Sequence, residues 1–586
     1  MTIPQTHKSL LSRLPERPRL LILSLLVGVC SGLAAVLLTW SIDAVRSLLE
    51  SGIIRSRNIF YLILPGVGML ISLLLLRYII KDNIRHGVTK VLFAVSRGES
   101  KIKPHNTWSS MLTSAVTIGF GGSVGAEAPI VYTGAAIGSN LGRLCGLSYR
   151  NITVLLGCGA AGAIAGIFKA PLAGVLFTME ILLFNISLSS MLPLLISTVS
   201  ATVISYIFRG QTAMFSSNLT PFSMGNIPFY IVMGVLLGLG SLYFMRSTLW
   251  MEDKLAKIGN AYIRWAICSV GLGVMIFLFP QLYGEGYVIL GELLSGQEAL
   301  ADGGSVFSWL TGRGWGVPLF FLLIFLVKVP AMTFTNAGGG NGGTFGPTLF
   351  CGAIAGFVIA RFFNLAGADV PEQNFVLVGM AAMMAGVMQA PMTAIFLIAE
   401  ISGGYQLLIP LILTATVSYG TVRLFEKYSI YTKRIAQSGD LLTHDTDQAV
   451  LTLMDTNSLI RDKYPRVRLD TPLRKVVSEI TNSTAAVLPV LDTEGRFQGL
   501  IDVGNIRKYL LRTDLYDKRN AANIMEDSPA VITEGEKMES VMRKFDRTGA
   551  WRLPVVDAGR HYLGFISRSR LLMAYRDELK EISGED

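Results

Sequence analysis

The chain has 586 residues, of which 51% are hydrophobic and 16% are charged, and its mean hydropathy is +0.50. These values exclude an ordinary soluble enzyme and are typical of a protein that crosses a membrane many times and carries a more polar appendage. The net charge of +10 comes without a basic run interleaved with aromatic residues. It therefore indicates cytosolic and juxtamembrane surface and no nucleic-acid partner.

The amino-terminal segment, residues 1–19, is basic and precedes an apolar run from Leu20 to Trp40. The positive-inside rule places this end of the chain in the cytoplasm. The run is too long for the apolar region of a signal peptide, and no small-residue cleavage site follows it. Together with the later apolar runs it predicts ten to twelve helical spans, several of them broken by Gly or Pro: 59–80, 109–147, 151–208, 226–246, 262–281, 316–365 and 373–423.

Glu127, in the sequence GAEAP, is the only charged residue between Ser109 and Gly142. A carboxylate at this depth in a membrane is costly and marks an ion path. Pro129 suits the first turn of a helix, so we expect Glu127 at or just before a helix N-terminus. Such an end attracts anions through its free N–H groups and dipole. Glu127 would then occupy the position of a passing anion and act as a gate; the alternative is a carboxylate that merely caps the helix.

A duplication relates the two halves of the apolar region. The segment GAAGAIAGIFKAPLAGVLFTMEI, residues 159–181, returns as GMAAMMAGVMQAPMTAIFLIAEI, residues 379–401, and GAEAP at 125–129 returns as GTFGP at 343–347. Paired halves with interrupted segments at matching positions predict an ion site between them, near the middle of the membrane. The many small residues predict close helix packing. The recurrence of Glu180 as Glu400 favours a shared structural task, such as hydrogen bonding to backbone at a helix end, over proton passage.

After about residue 426 the sequence becomes charged, with soluble α/β patterning. Two units, LPVLDTEGRFQGLI at 488–501 and LPVVDAGRHYLGFI at 553–566, each predict a strand, a turn, a second strand and a helix. Upstream helices are predicted around 472–481 and 537–547. This tandem pattern resembles a pair of CBS domains that pack as one module. Asn505 and Arg570 stand where that family often has an acidic residue holding a nucleotide ribose, which disfavours adenine-nucleotide binding.

With the duplication and the CBS pair, the chain resembles the CLC family of chloride channels and proton-coupled chloride exchangers over essentially its whole length. The family's GxExP motif matches Gly125 to Pro129, GxFxP matches Gly343 to Pro347, and its APLAG segment matches Ala170 to Glu180. The resemblance implies an all-α multi-spanning membrane protein with an inverted internal repeat, plus a cytosolic α/β tandem CBS module. The implied divisions are a transmembrane domain at 20–425 with halves 20–215 and 226–425, a linker at 426–455, and CBS domains at 456–515 and 523–582.

The resemblance also implies a homodimer with a separate pore in each subunit, in the cell (inner) membrane among lipids, with both termini cytoplasmic. Chloride or another small anion would be transported, without a cofactor and without enzymatic activity. Glu127 would be the gating residue, and Tyr431 the pore tyrosine. The predicted anion-binding residues are His86, Gly87, Val88, Gly125, Ala126, Thr344, Phe345, Gly346 and Tyr431.

Three departures from the family pattern bear on mechanism. The usual GSGIP anion loop is RHGVT at 85–89, so His86 replaces a serine hydroxyl; an imidazole still donates a hydrogen bond, and pH sensitivity becomes an option. Ala126 replaces a basic residue beside the gate. Ile181 replaces the intracellular proton-handling glutamate of many family exchangers, which favours passive conduction over a chloride–proton antiporter with a non-standard proton route.

Lys169 and Lys328 are solitary cations in apolar sequence, and together with Glu180 they are candidates for an electrostatic role near the path. Two other classes are disfavoured. An intramembrane enzyme using Glu180 and Glu400 would lack a metal motif or a nucleophile–base pair. A divalent-cation carrier would need several membrane carboxylates, of which this chain offers few.

Overall fold

The computed structural model describes most of the chain, with gaps. The described residues are 15–52, 60–96, 100–182, 188–211, 215, 219–296, 307, 314–438, 451, 454–462, 464–483, 486–510 and 512–583. Residues 1–14 of the predicted cytosolic segment and most of the predicted linker after residue 438 lie outside them. The chain divides between Leu441 and Leu442 into a helical unit and an α/β unit.

The helical unit contains α1 to α17 in chain order. Their bounds are Glu16–Gly52, Phe60–Leu74, Gly87–Ser96, Ser109–Gly119, Glu127–Leu144, Tyr149–Phe168, Pro171–Phe177, Leu188–Arg209, Ile227–Ala256, Ala261–Leu278, Tyr287–Ser295, Gly316–Ala337, Phe345–Leu365, Glu372–Met388, Pro391–Ile401, Leu408–Arg423 and Thr432–Ser438.

Among the described residues, eight helices are long and apolar enough to cross a membrane, and the protein is a multi-pass membrane protein. Five shorter apolar helices also lie among the described residues, so the expected ten to twelve spans stay a prediction. Gly and Pro break several apolar runs into such pieces, for example the 7-residue α7 and the 11-residue α15.

The two repeats pack their helices in the same way. A Cβ added at Gly134 on α5 would lie 2.1 Å from the carbonyl oxygen of Gly159 on α6, and one at Gly352 on α13 would lie 2.5 Å from that of Gly379 on α14. These backbones therefore approach so closely that a methyl group does not fit. The prediction that the small residues serve close helix packing is confirmed.

The break before each short helix also repeats. Lys169 ends α6 with a φ of 58°, and Gln389 ends α14 with a φ of 53°. Each is followed by an Ala-Pro pair, and the proline opens α7 or α15 because its fixed φ suits the first turn. The chain thus turns sharply at the same point in both repeats.

The α/β unit contains two three-stranded sheets of the same topology. In each sheet the first strand pairs in parallel with the second, which pairs antiparallel with the third. The predicted strand–turn–strand–helix order is confirmed in both repeats. The first strand of each sheet was not predicted, because two residues are too few to show a sequence pattern. The bounds are β1 Val467–Arg468, α18 Leu473–Thr481, β2 Val487–Leu491, β3 Phe497–Asp502, α19 Val503–Leu510, β4 Ile532–Thr533, α20 Met538–Thr548, β5 Arg552–Val556, β6 Tyr562–Ser567 and α21 Arg568–Ser583.

The two sheets pack together as one body, as predicted. Phe497 of β3 stacks on Tyr562 of β6 with ring centroids 6.3 Å apart, and the Phe497 amide donates to the carbonyl of Arg560. The backbone amide of Arg570 donates to the Ser567 hydroxyl, and the side chain of Asn505 lies outside what the structure describes. That these two residues disfavour adenine-nucleotide binding therefore stays a prediction.

Candidate functional site: a carboxylate between two helix starts

The two duplicated Gly-x-x-x-Pro segments meet. The Gly125 amide donates to the Gly343 carbonyl at 3.1 Å, and the Gly343 amide donates back to the Gly125 carbonyl at 2.7 Å. This reciprocal pair brings together the start of α5, at Glu127, and the start of α13, at Phe345. The start of α3 also lies here, because a Cβ added at Gly87 would be 2.5 Å from the Ala128 carbonyl oxygen. The predicted convergence of helix N-termini is confirmed.

Glu127 lies between these helix starts and is 1% exposed. Its Oε2 accepts the Gly346 amide at 3.2 Å, and its Oε1 accepts the hydroxyl of Tyr287, the first residue of α11. A Cβ at Gly125 would lie 2.0 Å from Oε2, so the glycine makes room for the folded-back carboxylate. An acidic group thus fills the electropositive start of α13, where a free anion would otherwise be attracted.

A small cavity lies beside α5, the helix that begins at Glu127. Two hydroxyls face each other in its wall, since Thr344 Oγ1 donates to Tyr431 Oη at 3.3 Å. Its lining contains four of the predicted anion-binding residues and five others: His86, Val88, Thr344 and Tyr431, then Thr89, Ala128, Gly342, Gly343 and Ile430. The cavity joins residues from four separate parts of the chain.

Other predicted anion-binding residues have different contacts. The Gly125 amide is bonded to Gly343, and the Ala126 amide donates to Glu285 Oε1 at 3.0 Å. Phe345 packs between aromatic rings, 5.4 Å from Phe168 and 6.1 Å from Phe177 by their centroids. Gly346 donates to Glu127, as a gate would require. The anion-binding role of the whole set stays a prediction.

Tyr431 is held by the turn that follows α16. Glu426, in that turn, accepts from Arg246 of α9 and from Lys433 of α17, each at 2.8 Å. The neighbouring Ile430 amide donates to the carbonyl of Val387 at 3.3 Å. Partial burial raises the pKa of Glu426, but the hydrogen bonds from the two cations outweigh it and hold the pKa below its usual value.

His86 takes a φ of 58°, unusual for a residue with a side chain, just before α3 begins. Its Nε2 lies 3.9 Å from Oε1 of Glu252, on α9. The imidazole therefore lines the cavity and also approaches a carboxylate. Sequence analysis did not single out Glu252.

The two solitary lysines differ in their surroundings. Lys328 is completely buried; its Nζ donates to Ser123 Oγ at 2.8 Å and to the Gly284 carbonyl at 3.3 Å, and it lies 4.6 Å from the Phe350 ring centroid. Lys169 donates instead to the Arg209 carbonyl at 3.2 Å. Lys328 thus lies next to the site, because its hydrogen-bond partner Ser123 precedes Gly125 by only two residues.

Glu180 and Glu400 each cap the start of a short helix in the other repeat. Glu180 accepts the Met392 and Thr393 amides at the start of α15, at 3.0 and 2.7 Å, and Glu400 accepts the Leu172 and Ala173 amides at the start of α7, at 3.0 and 2.9 Å. The expected hydrogen bonding to backbone at a helix end is confirmed.

Glu285 and Tyr287 are the residues that sequence analysis missed at the site. Both belong to YGEGY, residues 283–287, which leads into α11. The available signal was the one used for Glu127: a single acid among glycines just before a helix begins. It was passed over because the loop lies 159 residues from the Ala126 amide that it contacts.

The fold and the site together define a class of protein. A helical membrane unit whose two repeats meet at glycine-rich helix starts around a buried carboxylate is the architecture of a transporter with an ion site near the membrane midplane. The family model for voltage-gated chloride channels matches residues 67–423, and CBS domain models match residues 457–512 and 521–577. The chain belongs to this chloride channel family, the CLC family, and carries a tandem CBS module.

Individual relatives agree with this assignment. The chain is 28% identical over 387 residues to a putative ClcB-like chloride channel protein of Ralstonia nicotianae, covering 65% of this chain and 86% of that one. It is 26% identical over 431 residues to the H⁺/Cl⁻ exchange transporter ClcA of Cronobacter sakazakii, covering 70% and 87%. A slow cyanobacterial Cl⁻/H⁺ antiporter of known crystal structure shares the fold, with a TM-score of 0.61, 23% identity, and coverage of 72% and 99%.

Proposed function

We propose that this protein carries chloride or another small anion across the membrane, through a path gated by Glu127. The observation that carries the proposal is the hydrogen bond from the Gly346 amide to the Glu127 carboxylate. The anion would bind at the start of α13 after Glu127 leaves, and at the Thr344 and Tyr431 hydroxyls of the cavity.

The gating step follows from charge. An ionised Glu127 competes with the anion for the same amide, because both are attracted by the helix N-terminus. A proton removes the charge that binds the carboxylate to its donors, so that the side chain leaves more easily. Transport is therefore expected to rise as the pH falls.

Passive conduction is the leading mode, because Ile181 stands where many family exchangers have a proton-handling glutamate and an isoleucine accepts no proton. A proton-coupled exchanger is the second candidate. The observation that favours it is the approach of Glu252 to His86 at the cavity wall, which offers titratable groups on another route.

The protein acts as a homodimer with one path per subunit, in the cell (inner) membrane, with both termini in the cytoplasm. Neither cofactor nor adenine nucleotide is required. The family membership supports the dimer, and the basic residues before the first apolar run support the orientation. Cross-linking in membranes and protease protection of the terminal segments test these two statements.

Chloride efflux from liposomes containing the purified protein tests the gate. Glu127→Ala is expected to raise flux at pH 7.5 and to weaken its pH dependence, and Glu127→Gln to do the same with less change of volume. Flux from both variants with the wild-type pH dependence would reject the gate.

Reversal potentials measured in the same preparation test the mode. Under a chloride gradient, a potential at the chloride value that ignores a superimposed pH gradient indicates a channel. A potential displaced by the pH gradient indicates exchange. His86→Ala and Glu252→Gln should then remove the displacement if these residues supply the proton route.

A further inference from the structure

A second carboxylate, that of Glu285, also accepts a backbone amide at the site. Glu285 Oε1 accepts the amide of Ala126, the residue immediately before Glu127, at 3.0 Å. Each repeat therefore offers one backbone amide to an acidic side chain: Ala126 of the first repeat to Glu285, and Gly346 of the second to Glu127. An anion that passes these helix starts meets two competitors.

The charges at the site do not balance when both carboxylates are ionised. Lys328 contacts both sides, because its Nζ donates to Ser123, before the Glu127 motif, and to the carbonyl of Gly284, next to Glu285. The buried Lys328 ammonium offsets one carboxylate. Glu127 is buried and Glu285 is partly buried, so a second negative charge in this site is unfavourable. The first proton to enter the site therefore relieves repulsion between the two acids.

Further titratable groups influence Glu285 from the surrounding elements. Asp43 adds like charge and Arg209 opposite charge, while the Tyr287 hydroxyl bonds to the other acid. The groups that face it are Glu127 on α5, Lys328 on α12, Asp43 on α1, Arg209 on α8 and Tyr287 on α11. Glu127 and Lys328 act on Glu285 most directly, because Glu285 accepts the amide of the residue before Glu127 and Lys328 donates to the carbonyl of the residue before Glu285.

We infer that Glu285 is a second gating residue that accepts a proton: its ionised carboxylate competes with the anion for the Ala126 amide, and transport requires both Glu285 and Glu127 to be neutral. This inference rests on the proposed function and adds one more proton to its gating step. It also gives a reason for the buried Lys328, which stabilises the state with one carboxylate ionised.

A purely structural role for Glu285 would be a cap on the first amide of α5. Glu285→Gln separates the two roles, because the glutamine oxygen still accepts the Ala126 amide but carries no charge. A cap predicts an unchanged pH profile for this variant, whereas a titrating gate predicts an altered one.

The test is the steepness of chloride efflux against pH, between pH 4.5 and 8, for the full-length protein in liposomes. If two protons must bind, the logarithm of the wild-type flux falls with a limiting slope of about two per pH unit on the alkaline side. Glu285→Gln and Glu127→Gln should each reduce the slope to about one, and the double variant to about zero. In each single variant the flux on the alkaline side should exceed that of the wild type, since one proton fewer must bind before the anion passes.

Glu292→Gln is the matched control, because Glu292 lies on the same helix as Tyr287 and its slope should equal that of the wild type. A Glu285→Gln slope equal to that of the wild type would overturn the inference and leave the Glu127 gate standing. A Glu127→Gln slope equal to that of the wild type, with a reduced Glu285→Gln slope, would reject the Glu127 gate instead. If the wild-type protein passes no chloride at any pH, the proposed function and this inference both fail.

Discussion

Removing the carboxylates at positions 180 and 400 should destabilise the helical unit, and by different amounts. Each carboxylate accepts two amides at the start of a short helix in the other repeat, but Glu180 also accepts the Thr393 hydroxyl at 2.6 Å. The corresponding position near Glu400 is Ala173, which has no hydroxyl. We therefore expect Glu180→Ala to cost more than Glu400→Ala.

The size of the effect follows from these bonds. Hydrogen bonds to a charged acceptor contribute roughly 1.5–3 kcal/mol each when the donor stays buried without a partner. Leu172 and Met392 are 39% and 50% exposed, so other partners replace part of the loss at those two amides. One buried amide remains in each case, which gives about 2 kcal/mol for Glu400→Ala, and the extra hydroxyl raises this to about 3 kcal/mol for Glu180→Ala.

Thermal unfolding of the purified protein in detergent measures the difference. For a chain of this size, 1 kcal/mol corresponds to about 1–2 °C in melting temperature, so we expect losses of about 2–4 °C for Glu400→Ala and 3–6 °C for Glu180→Ala. The Gln variants keep one acceptor oxygen and should lose about half as much. Unchanged melting of Glu180→Ala, or loss of proton coupling in Glu180→Gln without a change in melting, would refute the capping role and favour proton passage.

Three other changes test separate parts of the structure. Gly134→Ala places a methyl group 2.1 Å from the Gly159 carbonyl oxygen and should lower the melting temperature or abolish folding, whereas Gly420→Ala, in open space on α16, should leave it equal or slightly higher. Tyr287→Phe removes a donor from the Glu127 carboxylate, which should raise liposome flux at pH 7.5 by up to about tenfold if Glu127 is the gate; wild-type flux would contradict a role for this contact in gating. Glu426→Gln should lower the melting temperature by a constant amount between pH 5 and 8. Because the pKa of this carboxylate is lowered in the fold, its stabilisation is present above its ordinary value of about 4.3 and is lost at lower pH, so the difference from the wild type should close below about pH 4.

The parts of the site that repeat in the sequence were predictable. The offset between GAEAP and GTFGP indicated two equivalent helix starts, and the Gly125–Gly343 pair joins them directly. Glu180 and Glu400 recur with the segments that they cap, so a shared contact could be expected. Local chemistry was enough here, since a proline or a glycine at a helix start acts on its own few residues.

The parts that depend on contacts between distant loops were not predictable. Glu285 contacts Ala126 across 159 residues, and Glu252 approaches His86 from another helix. Neither pair repeats in the other half of the chain, so the duplication gave no indication of them. The sequence also does not show how many helices cross the membrane, because an apolar run indicates that a segment is buried in membrane or protein, and not whether its helix continues through a glycine or proline break.

The site also compensates for a change within its own motif. In the family pattern a basic residue follows the first glycine of the GxExP motif, and Ala126 leaves this chain's motif without that charge. The structure places a buried cation there by another route, because Lys328 reaches from α12 to Ser123 and to the loop that carries Glu285. The positive charge and the second carboxylate therefore belong together. Glu285 alone would repel both Glu127 and the anion, whereas with Lys328 beside it the site is neutral when one of the two acids holds a proton.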